Sequence, residues 1–227
     1  MTKIRNNLQQ LREQIASCEK KYGREKDSVK LLAVSKNQSI EKISQALSTG
    51  QFAFGENYLQ EALPKIDFFT EKNIEWHFIG AIQNNKTKKI AENFAWVHSI
   101  TQLKTAQRLH EQRPQHLPPL NICIEVNISN ETTKSGLEFE DVFSLAKECL
   151  SLSHLKLRGL MAIPAPENNF NLQRKAFHKL ADLYHALRKE GLWLDTLSMG
   201  MSQDWEAAIA EGSTMLRIGT AIFGQRN

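Results

Sequence analysis

Short apolar runs alternate with amphipathic segments along nearly the whole chain, and this alternation constrains the fold more than any other feature. The runs lie at 29–35, 52–55, 74–79, 95–99, 120–127, 155–162, 196–199 and 215–218, eight in all. Helical spacing of apolar residues marks 39–48, 58–69, 85–93, 102–113, 139–152 and 172–190 between them, and 204–210 precedes the last run. A strand–helix–strand repeat pairs neighbouring strands in parallel through right-handed crossovers. Eight repeats in this length predict a closed (β/α)8 barrel, an α/β fold of the TIM-barrel type, with a doubly wound open sheet as the alternative. Ile4, Leu8, Leu11 and Ile15 recur at helical spacing over 3–22 and add an extra N-terminal helix. No linker or low-complexity stretch divides the chain, so residues 1–227 read as a single domain.

Composition narrows the classes of function. A hydrophobic fraction of 41% supports a real core. The net charge of +4, from 29 basic and 25 acidic residues, is that of an ordinary surface and points to no nucleic-acid partner. No run has membrane-spanning length and the N-terminus lacks the apolar stretch of a signal peptide, so the expectation is a cytoplasmic protein without membrane contact. Cys18, Cys123 and Cys149 are odd in number and widely spaced, which argues against a disulfide scaffold or a zinc site. Cys123 and Cys149 fall in apolar patterns and read as buried thiols.

In a barrel the site lies at the C-terminal ends of the strands. The first run, "LLAV", ends in Ser35 and Lys36; the second runs into "FGENY"; the seventh and eighth end in "SMGMSQD" and "RIGTAIFG". The last two place glycine beside a hydroxyl residue where backbone N–H groups can hold an anion, and loops after strands 7 and 8 are the usual phosphate site of such barrels. Either glycine alone reads as a turn; two at matching positions favour phosphate. Lys36 opposite a phosphate cradle suits a Schiff base with pyridoxal phosphate, since desolvation in the mouth would favour the neutral amine. Arg217 lies two residues before Gly219 and so faces the same side; it is either a structural ion-pair arginine or a donor to the pyridine nitrogen. Asn57 either caps the next helix or donates to the phenolic oxygen of the ring. Asp204 reads as a helix cap, His77 as a packed strand histidine, and "NNKTKK" at 84–89 as a solvated helix start.

"LLAVSK", "FGENYLQEALPK", "WHFIGAIQNNK", "LNICIEVNIS", "KSGL", "LRGLMAIPAP", "DTLSMGMSQDWEAAI" and "STMLRIGTAIFG" together closely resemble the pyridoxal phosphate homeostasis proteins, the YggS-like family. The resemblance runs through nearly the whole chain in order. It implies a barrel like the N-terminal domain of alanine racemase, carrying pyridoxal 5'-phosphate covalently on Lys36. It further implies that Ser202, Gly219 and Thr220 hold the phosphate, with Met201 in the same loop. Arg217 would meet the ring nitrogen and Asn57 the ring oxygen. Trp205 and Ala81–Ile82 depart from the usual family pattern, away from these positions.

The implied role is to buffer the cofactor and deliver it to apo-enzymes, as a monomer and not as an enzyme. Alanine racemases use a second base, a tyrosine supplied across a dimer with a separate β domain. This sequence ends in "GQRN" directly after the eighth run, and of its tyrosines, Tyr22, Tyr58 and Tyr184, none is placed opposite Lys36. A weak racemase or another pyridoxal phosphate enzyme is the alternative, and a barrel for a different phosphorylated metabolite is a third reading. Lys134, in "TTKSG", reads on pattern as a solvated loop lysine and is otherwise the candidate second amine for displacing Lys36 during release.

Overall fold

The computed structural model describes residues 3–129 and 135–225. Eight strands, all parallel, close into a barrel in the order β1 to β8: Lys30–Val34, Ala53–Glu56, Glu75–Phe78, Trp96–Ile100, Leu120–Glu125, Leu155–Met161, Thr196–Ser198 and Met215–Ile218. Closure runs through β1 and β8, where Lys30 pairs with Met215 and Ala33 with Ile218. The alternation in the sequence thus closes rather than spreading into an open sheet, and every strand falls within or beside its expected run.

Helix α1 (Lys3–Lys21) precedes the barrel. The crossover helices are α2 (Ile40–Leu47), α3 (Leu59–Phe68), α4 (Thr87–Asn93), α5 (Leu103–Gln112), α6 (Phe139–Leu150), α7 (Phe170–Lys189) and α8 (Trp205–Ala210). A short α9 (Thr220–Phe223), absent from the sequence reading, follows β8. Ile4, Leu8, Leu11 and Ile15 on α1 are all buried, against the ends of α2, α8 and α9. Among the described residues no helix is long and apolar enough to cross a membrane.

Two cores result. The larger lies between the strands and the helices; the smaller, made of Leu32, Trp96, Cys123, Met161 and Met215, lies inside the barrel. Successive strand residues point to opposite faces, so each position two residues beyond an inward one also points inward. This parity carries Leu32 to Val34 and then Lys36 on β1, and Met215 to Arg217 and then Gly219 on β8. It stacks the polar rim directly on the apolar interior. Cys123 and Cys149 are fully buried thiols, each pushed up to about 12 by burial.

Candidate functional site

A cleft of about 540 Å³ opens at the C-terminal ends of β1, β2, β7 and β8. Lys36, Asn57, Met201, Ser202, Arg217, Gly219 and Thr220 all line it, so the structure gathers these seven cofactor-site candidates into one cavity. Ile163, Pro164 and Pro166, from the segment between β6 and α7, form an apolar wall that sequence reasoning did not include.

Lys36 is held by its neighbours on both sides. The Ser35 N–H donates to the Gly55 carbonyl at 2.9 Å, and the Ser35 carbonyl accepts from Lys65 Nζ at 2.9 Å. Ser35 Oγ and Lys65 Nζ both donate to Glu56 Oε1, at 2.6 and 2.8 Å. Burial outweighs Lys65 here and raises the Glu56 carboxyl above its usual value. On the other side Asn37 takes a left-handed backbone (φ 57°), and its N–H donates to Glu61 Oε2 at 3.0 Å. Lys36 therefore projects from a segment pinned by three charged side chains of the "GENYLQEALPK" stretch.

Asn57 does not cap α3. Tyr58 occupies that position without a side-chain cap, and Asn57 stands one residue too early to reach the first free N–H groups. Its Oδ1 is instead buried without a protein partner on the cleft wall. Gly80 makes this placement possible, because a Cβ there would lie 2.1 Å from the Asn57 carbonyl oxygen.

The turn after β7 needs Gly200 twice over. Its φ is +98°, and a Cβ would meet Ala208 and Leu216 at 2.6 and 2.7 Å. Asp204 sits at the N-cap position of α8 but makes no side-chain cap there; its Oδ1 accepts from the Met201 N–H behind it at 2.6 Å. The 201–204 turn brings that amide closer than the helix amides ahead, and this corrects the expectation of a simple cap. Burial raises the Asp204 carboxyl. Ser202 Oγ accepts from the Ala221 N–H at 3.4 Å, which ties this turn to the first turn of α9, where intrahelical acceptors are lacking.

Arg217 is not an ion-pair arginine in its hydrogen bonding. Its Nη1 donates to the Ser198 carbonyl and to Ser198 Oγ, and its Nη2 donates to the Ala162 carbonyl at 2.9 Å, all neutral oxygens. Burial lowers its guanidinium to about 10, against the pull of Asp204 and Glu125, so it stays charged at neutral pH. Behind it stand His77, buried with both ring nitrogens partnered as expected of a packed strand histidine, and His98 and Ser198, which sequence reasoning did not single out. His98 Nδ1 lies 2.9 Å from Ser198 Oγ, and His98 Nε2 lies 2.9 Å from Nδ1 of His77. The signal was a histidine at the third position of two successive strands, "WHF" and "VHS". Of the tyrosines, Tyr184 donates to the Leu194 carbonyl at 2.9 Å from α7, Tyr22 follows α1, and Tyr58 is exposed. Lys134 lies outside the described residues.

The alanine racemase N-terminal domain family model matches residues 3–227. A Haemophilus influenzae protein named pyridoxal phosphate homeostasis protein is 49% identical over 99% of this chain and 96% of its own length. A Vibrio alginolyticus protein of the same name is 50% identical over 100% of this chain and 99% of its own. Among solved structures, PipY of Synechococcus elongatus with PLP bound superposes with a TM-score of 0.87 at 32% identity, covering 98% of this chain and 100% of that one.

Proposed function

The chain belongs to the pyridoxal phosphate homeostasis proteins and to the alanine racemase N-terminal domain family, and from that premise we propose that it holds pyridoxal 5'-phosphate in the β1–β8 cleft as a Schiff base on Lys36. The observation that carries this reading is the cleft itself. It presents one amine, one buried guanidinium whose hydrogen bonds go to neutral oxygens, one orphaned amide oxygen and a hydroxyl-rich double turn to a single cavity. These groups fit the cofactor's chemistry: Lys36 for the aldehyde, Arg217 for the pyridine nitrogen, and Ser202, Gly219 and Thr220, with Met201 in the same turn, for the phosphate. The Asn57 amide, whose Oδ1 lacks a protein partner, has its NH₂ for the ring oxygen. A bound pyridoxal phosphate supplies an aldehyde that condenses with amines and a ring that accepts electron density from the linked carbon.

The residues of this chain restrain that chemistry. Guanidinium only donates and does not give up its proton at neutral pH, so Arg217 would leave the ring nitrogen unprotonated and the ring a weak electron acceptor. Asp204 has Oδ1 engaged by Met201, and Glu167 Oε1 accepts from the Asn168 and Asn169 amides at 2.7 and 2.8 Å. This arrangement suits keeping a reactive aldehyde away from free amines and passing it to apo-enzymes, inside the cell and as a monomer, more than turning over an amino acid.

The decisive experiment is the visible spectrum of the protein with added pyridoxal phosphate beside that of Lys36→Ala, followed by borohydride reduction and peptide mapping. The expected result is a cofactor band that needs Lys36 and a reduced adduct at that position. An equal band in both proteins, or an unmodified Lys36, overturns the reading. Sustained formation of D-isomer from a single L-amino acid with Lys36 intact would replace it with a racemase.

A further inference from the structure

The polar residues inside the barrel form one continuous chain. Arg217 Nη1 lies 2.7 Å from Ser198 Oγ, which lies 2.9 Å from His98 Nδ1. His98 Nε2 lies 2.9 Å from His77 Nδ1, and His77 Nε2 lies 2.9 Å from Glu75 Oε1. Ser198 and both imidazoles are fully buried, whereas the Glu75 side chain is 45% exposed at the N-terminal end of β3. The chain therefore crosses the barrel from its far rim to the back of the cleft. Trp96 stacks on His77 at an interplanar angle of 9° and packs against His98, which fixes both ring planes.

Donor counting gives the chain a single direction. Arginine has only donors, so Ser198 Oγ accepts from Arg217. The one hydroxyl proton of Ser198 then goes to His98 Nδ1. That nitrogen is an acceptor, so the His98 proton sits on Nε2 and is donated to His77 Nδ1. The His77 proton likewise sits on Nε2 and is donated to the Glu75 carboxylate. The reverse direction leaves the serine hydroxyl without an acceptor and places an imidazole lone pair against a carboxylate. A buried polar group without its partner is strongly disfavoured. The direction of the titration shifts agrees: burial holds both imidazoles toward the neutral form, and His77 holds the Glu75 carboxyl below its usual value.

We propose that Ser198, His98, His77 and Glu75 are positioning residues for Arg217, a one-way hydrogen-bond chain that anchors the guanidinium at the back of the cleft to a carboxylate on the opposite rim. It is not a proton wire, because it ends on a group that does not release its proton. Each donation toward Glu75 leaves the next oxygen or nitrogen more electron-rich, so Ser198 Oγ becomes a stronger acceptor for Arg217 than an isolated hydroxyl. The guanidinium is thereby oriented before any ligand arrives. The consequence for the cofactor rests on the functional reading above; the chain itself does not.

The test has two arms on the full-length protein. In the first, 15N-histidine NMR without cofactor is expected to show His77 and His98 neutral at pH 7 with the proton on Nε2, and Ser198→Ala is expected to keep both protons there, because Glu75 still sets the direction, while shifting the His98 Nδ1 resonance that loses its hydroxyl donor. A proton on His98 Nδ1, or a charged ring at either position, overturns the proposal. In the second, pyridoxal phosphate is released about fivefold faster from Ser198→Ala and from Glu75→Gln, the loss expected for about one hydrogen bond, while Glu13→Gln on exposed α1 matches the wild type. Glu75→Gln lies on the rim and keeps the barrel folded, so release at the wild-type rate from both chain variants overturns the positioning role. If the wild type takes up no pyridoxal phosphate, the functional reading fails, and the tautomers alone decide the chain.

Discussion

Two buried cations stand behind the cleft, and they are held in opposite ways. Lys65, under the Lys36 wall, meets a carboxylate: its Nζ lies 2.8 Å from Glu56 Oε1, with side chains 9% and 0% exposed. Arg217, under the opposite wall, hydrogen-bonds only to neutral oxygens. The first charge is cancelled where it stands, so it braces the backbone around Lys36 and projects little field. The second is left uncancelled by its hydrogen-bond partners, so its field reaches into the cavity, where an electron-rich ring atom would feel it. One pair builds the wall; the other charge, which Asp204 and Glu125 reach only through space and not by a hydrogen bond, addresses the ligand.

The largest expected effect separates the two. Lys65→Met strands the Glu56 carboxylate in the core and should lower unfolding stability by about 3–5 kcal/mol in urea titrations. Adding Glu56→Gln should recover a good part of that loss, since the stranded charge is then gone. Arg217→Met orphans neutral acceptors and removes a charge that Asp204 and Glu125 feel only at longer range, and should cost about 2–3 kcal/mol. A larger loss for Arg217→Met than for Lys65→Met would break the comparison.

Acid titration sharpens it. His77 and His98 are held below the ordinary imidazole value of 6.5, chiefly by burial. The unfolded chain thus takes up protons where the folded protein does not. Stability should be complete above about pH 6.5 and decline below it, by up to about 1.4 kcal/mol per pH unit for each ring. Glu75, held below its usual value, adds a loss of the same sign at lower pH. Glu56 is raised, so its contribution is fullest below its unfolded value and fades as pH rises through its folded one, opposing the histidines. Urea midpoints at pH 7.5, 6.5 and 5.5 should therefore fall toward acid, and more steeply in the Lys65→Met/Glu56→Gln protein. A profile in the Lys65→Met/Glu56→Gln protein no steeper than in the wild type would mean that Glu56 does not oppose the histidines. The smallest effect is local. Asp204→Ala removes the acceptor of the Met201 N–H and should cost about 1 kcal/mol by the same urea titration.

The two walls also differ in how far they could be read in advance. Lys36, Gly200 and Gly219 announce themselves because a polar or small residue ends an apolar run, and strand parity carries Lys36 and Gly219 inward. The Glu56–Lys65 pair spans nine residues of one strand–helix unit, so it lay within local reach yet carried no pattern that distinguishes it from a solvated pair. His77 and His98 come from the adjacent strands β3 and β4, and closure sets Ser198 of β7 across the barrel from them. Nothing in "WHF" or "VHS" alone says that the two rings touch. Asp204 was read as a helix cap, and Asn57 as a cap or a cofactor contact, because residue type and spacing allow it; only the bend of each turn showed neither side chain capping its helix.

By itself the sequence determined the eightfold alternation, the inward face of each strand and the rim on which polar residues gather, because the periods of strands and helices are local properties of the chain. The tertiary structure alone decided which side chains face one another across the barrel interior, which buried charge is cancelled and which is left to act. Those outcomes depend on residues up to about a hundred positions apart, such as His98 and Ser198, meeting within hydrogen-bond distance, and no local period encodes that meeting.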